Sequence, residues 1–262
     1  MKTSRTCNRP LEVVVFGSGA GTILKELLRV ETQSRCPPFV IRALFTDCQC
    51  HFETIARKHH LPLIYHPFNE FFQRAGGKEK RDQDLRGQYD EKNAELLLSL
   101  AAKQRFSIDL IFLAGYMRLL YSPLIERFKH KILNVHPADL TEKDSRGRRR
   151  YVGKNAVFEA LISGKTKTRS SVFFVDAGVD TGPMLVSGPW VPYTGTFPVT
   201  QAAAAQHQEK QKKASDFPAT IQALKLIAAN RVVLNREDKV MIDGVVQGDG
   251  GYQMERSVCA ES

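Results

Sequence analysis

The sequence predicts an α/β fold, an open and mainly parallel sheet with helices on both faces and a β-hairpin near the C-terminus. Three observations lead there. Apolar runs of strand length alternate with segments of helical periodicity. The first run ends in a cluster of glycines that opens a helix. The interior runs are apolar at successive positions, as strands covered on both faces require.

The elements follow in order. Leu11 to Phe16 reads as a buried strand, broken by Gly17-Ser18-Gly19-Ala20-Gly21 before a helix opens at Thr22. Phe39 to Thr46 is the second strand, His51 to His60 a helix and Leu63 to Tyr65 a short third strand. This β-α-β rhythm requires right-handed crossovers and a parallel sheet of Rossmann-like type. Asn69 to Arg86 is polar and charged and reads as a surface insertion. A long helix is expected from about Tyr89 to Phe106, with Leu96, Leu97, Leu100 and Ala101 at helical spacing. Ile108 to Ala114 and Ile132 to Val135 supply the fourth and fifth strands, Asn155 to Ser163 a helix and Ser170 to Val175 a further strand. Met184 to Val191 returns antiparallel, since only a short loop precedes it. Helices are expected over Ala202 to Lys213 and, after Pro218, over Ala219 to Ala229. Val232 to Leu234 and Val240 to Ile242 flank a polar turn and form the hairpin. One domain over 11–246 is expected, between a flexible N-terminus (1–10) and a flexible tail (247–262).

Bulk composition narrows the function classes. At 262 residues and 42% hydrophobic content the chain can bury an ordinary globular core, which excludes a disordered protein. No stretch approaches the ~20 apolar residues that span a bilayer, and the first ten residues lack the apolar core of a secretory signal, so a cytoplasmic protein without a membrane partner is expected. Five cysteines without framework spacing argue against a disulfide scaffold. Cys48-Gln49-Cys50-His51 is tighter than a zinc knuckle and has no second pair, so no metal is expected. The net charge of +10 favours anionic partners. Part of it is local: six basic residues (Lys143, Arg146, Arg148, Arg149, Arg150, Lys154) lie between Glu142 and Lys154 against two acidic ones. Without a recognition motif or interleaved aromatics, this stretch reads as a solvated loop rather than a nucleic-acid patch.

Three motifs carry chemistry. In Ser18 to Thr22 small residues let backbone amides approach an anion at a helix N-terminus, although neither common nucleotide pattern is completed. Leu113-Ala114-Gly115-Tyr116-Met117-Arg118-Leu119-Leu120 follows a buried strand at its C-terminal end, where α/β sheets place ligands; its apolar residues could equally fill core. Asn134 and His136 are two apart at a strand end and share a face. Asp180 lies in the glycine-punctuated loop Asp176 to Pro183, which can bend back toward them. An amide, an imidazole and a carboxylate suit acyl transfer to an amine: one polarises a carbonyl, one moves protons and one orients the proton carrier.

Taken in order, the glycine loop 18–22, Arg86-Gly87-Gln88-Tyr89-Asp90, Ala114 to Leu120, Asn134-Val135-His136-Pro137 and Val179-Asp180-Thr181-Gly182-Pro183 resemble the folate-dependent formyltransferase family. The resemblance runs over about Leu11 to Val246 and is strongest to the branch that acts on glycinamide ribonucleotide. It implies formyl transfer from 10-formyltetrahydrofolate, as co-substrate, to the primary amine of that phosphorylated acceptor in purine synthesis. It implies phosphate contacts from Gly19, Ala20, Gly21, Thr22 and Arg86. Folate contacts would come from Met117, Arg118, Leu119, Leu120, Asp176, Ala177, Gly178 and Val179. Asn134, His136 and Asp180 would be catalytic, with Asn134 and His136 donating to the formyl oxyanion. A monomer or homodimer is expected, without a nucleic-acid partner.

The chain also departs from that pattern. Ile23 stands where asparagine is usual, Ala138-Asp139-Leu140-Thr141 replaces Ser-Leu-Leu-Pro, Phe173 replaces a histidine and Lys213 takes the place of an acidic ribose contact, while residues 142–150 look inserted. These changes fall on the side of the acceptor. An amino sugar, an aminoacyl-tRNA or water therefore stay open as formyl acceptors, as does a non-catalytic folate- or phosphate-binding relative.

Overall fold

A computed structural model describes residues 9–76 and 82–255, which fall into two units: residues up to Lys131 with Leu224–Arg231, and Ile132–Ala223 with residues from Val232 onward. In the first unit the chain runs β1 (Leu11–Phe16), α1 (Thr22–Gln33), β2 (Phe39–Thr46), α2 (His51–His59), β3 (Leu63–Tyr65), α3 (Phe68–Arg74), α4 (Gln83–Gln104), β4 (Leu110–Leu113) and α5 (Ser122–Arg127). Strand order is β3-β2-β1-β4, and all three pairings are parallel. β1 is interior, so Val13, Val14, Val15 and Phe16 are fully buried and Phe16 stacks on Phe45 at 4.3 Å between ring centroids. This is why its apolar run is unbroken rather than alternating.

The polar stretch 69–86 is more ordered than its composition suggests. α3 occupies its start because Phe68 and Phe72, one helical turn apart among charged residues, pack on Tyr89. α4 begins six residues before the expected start at Tyr89, where the Asp82 carboxylate accepts a hydrogen bond from the Leu85 N–H and caps the helix. Lys78 to Arg81 lie outside the described residues.

The second unit runs β5 (Ile132–His136), α6 (Ala156–Ile162), β6 (Lys167–Thr168), β7 (Ser171–Phe174), β8 (Met184–Ser187), β9 (Val191–Pro192), α7 (Gln201–Gln211), a π-helical turn (Lys212–Asp216), α8 (Phe217–Ala228, whose last residues belong to the first unit), β10 (Val232–Leu234), β11 (Val240–Ile242), β12 (Val245–Val246) and β13 (Tyr252–Gln253). β5 pairs antiparallel with β7, and β7 with β8, as the short 176–183 connection requires. The terminal hairpin forms between β10 and β11, and β12 extends it. Two readings of the sequence need correction here. The tail is not loose throughout, because Tyr252 and Gln253 add a parallel strand to β8. The helices around Pro218 are not separate: the π-helical turn joins α7 to α8 and immediately precedes the start of α8, where the proline has no N–H to donate. Residues 1–8 and 256–262 lie outside the described residues, so the expected flexible ends fall largely there. Cys36 is disulfide-bonded, whereas Cys48 and Cys50 are free.

One buried ion pair fastens the second unit. Arg169 donates from Nε to Asp139 Oδ2 at 2.9 Å, its guanidinium lies 4.5 Å from the Trp190 ring centre, and the other Asp139 oxygen accepts from the Thr141 N–H and hydroxyl. Removing the carboxylate would leave a buried cation unpaired, so Asp139→Ala should lower the unfolding free energy by about 3–5 kcal/mol in urea titrations. Lys143→Ala, which breaks an exposed pair with Asp249, should cost no more than about 1 kcal/mol.

Candidate active site

Alternation along β5 turns Asn134 and His136 to one face, and the register with β7 sets Asn134 opposite Phe173 and His136 opposite Ser171. The imidazole is 5% exposed, yet it is not sealed among hydrocarbons: Nδ1 lies 3.4 Å from Asp180 Oδ2, and Nε2 lies 2.7 Å from the Tyr151 carbonyl oxygen. A carbonyl only accepts, so Nε2 carries a hydrogen and donates it there. In this arrangement the Nε2 proton is shared with the Tyr151 carbonyl. The half-buried Asn134 amide makes no hydrogen bond among the described residues and has both donor hydrogens to offer.

Asp180 reaches the imidazole because its backbone sits in the left-handed region, φ 53°. A non-glycine residue holds that conformation at a cost of about 1–3 kcal/mol, so its surroundings must over-determine it. They do. Asp176 accepts from the Gly178 N–H and the Thr181 hydroxyl, which closes the turn from within. Gly182 lies so close to Phe174 that a Cβ would come within 1.8 Å of the Phe174 carbonyl oxygen. From outside the turn, the Gly153 N–H donates to Asp180 Oδ2 at 2.9 Å, and Arg149 donates to the carbonyl oxygens of Asp180 and, at 2.8 Å, Gly182. Burial lowers Arg149 from the ordinary arginine range, and the carboxylates of Asp176, Asp180 and Asp249 oppose that shift. A cleft of about 940 Å³ opens beside the turn, lined among others by Arg149, Arg150, Val152, Val179, Thr181 and Met184. Ala177 and Val179 are exposed at the loop tip.

The remaining candidates lie in the first unit. Gly19 and Ala20 are exposed, Gly21 adopts φ 66°, and α1 starts with neither a side-chain cap nor an acidic residue in its first turn. Its first N–H groups and the positive end of the helix dipole are thus available to an anion. The loop is tied to the 115–120 segment through Ser18, which donates to the Gly115 carbonyl from its N–H and receives the Met117 N–H on its hydroxyl. Asp47, at the end of β2 and 2% exposed, accepts from the Ser18 hydroxyl at 2.5 Å and from Arg118 Nε at 2.7 Å. The Arg118 guanidinium lies 4.2 Å from the Phe68 ring centre, and that of Arg86 stands 5.6 Å from the same ring and 5.4 Å from Tyr121. The structure therefore joins the glycine loop, Arg86 and the Met117–Leu120 segment in one cluster. Met117 and Leu119 do not fill core: they are 53% and 38% exposed, whereas Leu120 is buried. Exposed apolar side chains of this kind suit a planar ligand.

Sequence reasoning missed Asp47, Arg149, Tyr151 and Gly153. Asp47 had a signal, a carboxylate directly after an apolar parallel strand, where α/β proteins place functional groups. The other three had only their alternate spacing, hidden by the surrounding charge. Among the acceptor-side departures, Phe173 packs with Leu140 and Met184 in a buried cluster, and Lys213 is exposed on the π-helical turn. Asp216 on that turn accepts from the Ser170 hydroxyl, and burial pushes its carboxyl above the usual range. Burial also pushes the Cys48 thiol up to about 11, and its Sγ donates to the Ser18 carbonyl. Among the described residues no group of three or more His, Cys, Asp or Glu side chains is gathered as a metal site needs, and no helix is long and apolar enough to cross a membrane.

With this geometry in hand, similarity to known proteins is informative. Residues 11–189 match the family model described as formyl transferase. The phosphoribosylglycinamide formyltransferase of Mycobacterium tuberculosis is 31% identical over 180 residues, 69% of this chain and 71% of that protein. The solved phosphoribosylglycinamide formyltransferase of Coxiella burnetii superposes with a TM-score of 0.71 at 22% identity, covering 94% of this chain and 100% of that one. A formyltetrahydrofolate deformylase from Pseudomonas syringae pv. tomato superposes with a TM-score of 0.65 at 16% identity, covering 89% of this chain and 66% of that one. At such identities the two structures establish the shared fold alone.

The motif residue Asp90 carries a pH signature. Burial raises its carboxyl to about 7 despite hydrogen bonds from the Tyr121 N–H and Asn93 and the nearby Arg86 charge. The folded state therefore holds a proton that the unfolded chain releases near the ordinary value of about 3.9. Asp90's contribution to stability is fully present below pH ~4 and is lost as pH rises to about 7. Asp90→Asn removes that titration, so the stability of the variant relative to the parent should climb between pH 4 and 7 and level off above. Urea denaturation across that range measures it, and a constant difference between the two proteins would remove the assignment.

Proposed function

We propose, for a chain that belongs to the formyl transferase family, transfer of the formyl group of 10-formyltetrahydrofolate to the primary amine of glycinamide ribonucleotide, by a monomer or homodimer. The observation that carries this reading is the approach of Asp180 Oδ2 to His136 Nδ1 at 3.4 Å beside an Asn134 amide with no protein partner among the described residues. The amine nitrogen attacks the formyl carbon, and the carbonyl pair moves onto oxygen, where the Asn134 amide donates to it. As that pair returns, the bond from carbon to N10 of the folate breaks. The proton lost by the amine passes through the Asp180–His136 pair to N10, so charge and atoms balance. The folate supplies the activated carbon, and the protein supplies placement and a polar cradle. The glycine loop and Arg86 suit the acceptor's phosphate. Met117 to Leu120 and the loop Asp176 to Val179 suit the folate.

A second reading, hydrolysis with water as acceptor, draws support from the acceptor side. Ile23 offers no hydrogen bond in the first turn of α1, and Lys213 brings a cation where a ribose contact is carboxylic in the resembling enzymes. Release of tetrahydrofolate in the absence of amine, followed by folate absorbance, separates the two.

If His136 and Asp180 work as a proton-moving pair, His136→Ala and Asp180→Asn should each reduce turnover roughly 100-fold or more while the proteins remain folded. Near-normal rates from both folded variants would remove the mechanism. A parent enzyme that formylates other amines but not glycinamide ribonucleotide would revise the acceptor only.

A further inference from the structure

The arginine-rich stretch has a second face. Two of its other cations pair with neighbouring carboxylates, Lys143 with Asp249 and Arg148 with Asp144, and Glu142 at its base pairs with Lys165. Backbone hydrogen bonds from Asp144 to Arg148 and from Arg150 to Glu142 fold it into a hairpin-like loop. Beyond the tip, three alternate residues direct one group each at the site. Arg149 donates to the Asp180 and Gly182 carbonyls, the Tyr151 carbonyl accepts from His136 Nε2, and the Gly153 N–H donates to Asp180 Oδ2. Arg149 makes no salt bridge among the described residues, and it turns its planar fork to two carbonyls instead.

The geometry points to Arg149 as a positioning residue that pins the 180–182 turn, so that the Asp180 carboxylate faces His136 Nδ1. This inference rests on the reading of Asp180 and His136 as the proton-moving pair of formyl transfer. A guanidinium bridging two carbonyls holds the turn at two points. Lysine, a single point charge, holds it at one. Arg149 touches neither reacting atom, so its removal should disturb orientation rather than substrate affinity.

The test uses Arg149→Ala and Arg149→Lys in the full chain, with Arg146→Ala as the control from the exposed end of the same loop. Turnover should fall roughly 100-fold in the alanine variant, as misplacement by about an ångström predicts. KM for amine and folate should stay within about twofold, because the loss is confined to the step that uses the pair. Added guanidinium ion should restore part of the alanine variant's rate, the lysine variant should remain impaired, and the control should match the parent. Independently of activity, long-range proton–nitrogen NMR of the His136 ring should show altered Nδ1 and Nε2 signals in both Arg149 variants and not in the control. Ring signals and turnover that match the parent in a folded Arg149 variant would overturn the proposal; if the alanine variant does not fold, the lysine variant carries the same comparison. A parent with no formyl transfer whose ring signals still respond to Arg149 would sink the functional reading and leave the positioning role standing.

Discussion

His136 has two ring nitrogens and two oxygen neighbours, the Tyr151 carbonyl at 2.7 Å and the Asp180 carboxylate at 3.4 Å. A buried ring so placed cannot turn over without stranding a polar atom, so its orientation is set by the partners rather than by its own torsions. The carbonyl fixes which nitrogen carries the obligatory hydrogen, and the carboxylate faces the other. Three parts of the second unit build this arrangement. β5 brings His136 and Asn134 to one face, the left-handed turn brings Asp180 back from the β7–β8 connection, and segment 149–153 closes over both. Asn134 differs from these: its side-chain amide makes no hydrogen bond among the described residues.

In the first unit one carboxylate does comparable work. Asp47 accepts from Ser18 on one oxygen and from Arg118 on the other, and so couples the glycine loop to the segment that exposes Met117 and Leu119. Its burial raises the stakes of those bonds, since an unpaired carboxylate there would be costly. Arg118 in turn lies over Phe68, which links α3 to the same cluster. The anion-ready end of α1 and the exposed apolar pair are therefore built on shared supports, and loosening either would disturb the other. Asp90 adds a further tie by holding the N–H of Tyr121, directly after Leu120.

How much of this was legible in the sequence depended on whether a signal was local. β1, β2 and β3 could be read because consecutive apolar residues leave few alternatives, and the loop Asp176 to Pro183 because glycine and proline punctuate it. α3 could not, because only Phe68 and Phe72 mark its packing face and the charges around them read as surface. The start of α4 at Asp82 was hidden by the same charged run. β13 has two residues and takes its stability from β8 rather than from its own propensity. In the site, Asn134 and His136 were marked by residue type and spacing, and Asp180 by its glycine-punctuated loop. Tyr151 and Gly153 contribute backbone atoms, which no side-chain pattern reveals, and Arg149 was masked by the basic residues around it. The orientation of His136 was likewise beyond the sequence, because it depends on a carbonyl fifteen positions away.

Some of the departures from the family pattern make physical sense together. Asp139 is committed to the buried pair with Arg169, so a carboxylate where an apolar residue is usual answers an interior cation rather than a ligand. Leu140 and Phe173 pack on each other and on Met184, with Val152 of the arginine-rich segment against them. An imidazole at 173 would place a polar ring in that apolar cluster, where burial without a partner is costly. Leu140, Phe173 and Met184 thus form one packing unit with Val152, and Ala138 packs separately with Tyr151, so both clusters hold the segment that carries Arg149, Tyr151 and Gly153. Ile23 and Lys213 stand outside this unit, on α1 and the π-helical turn, and packing against the loop explains neither. The altered residues accordingly divide in two: one set packs behind the segment that contacts Asp180, and the other lies outside that packing.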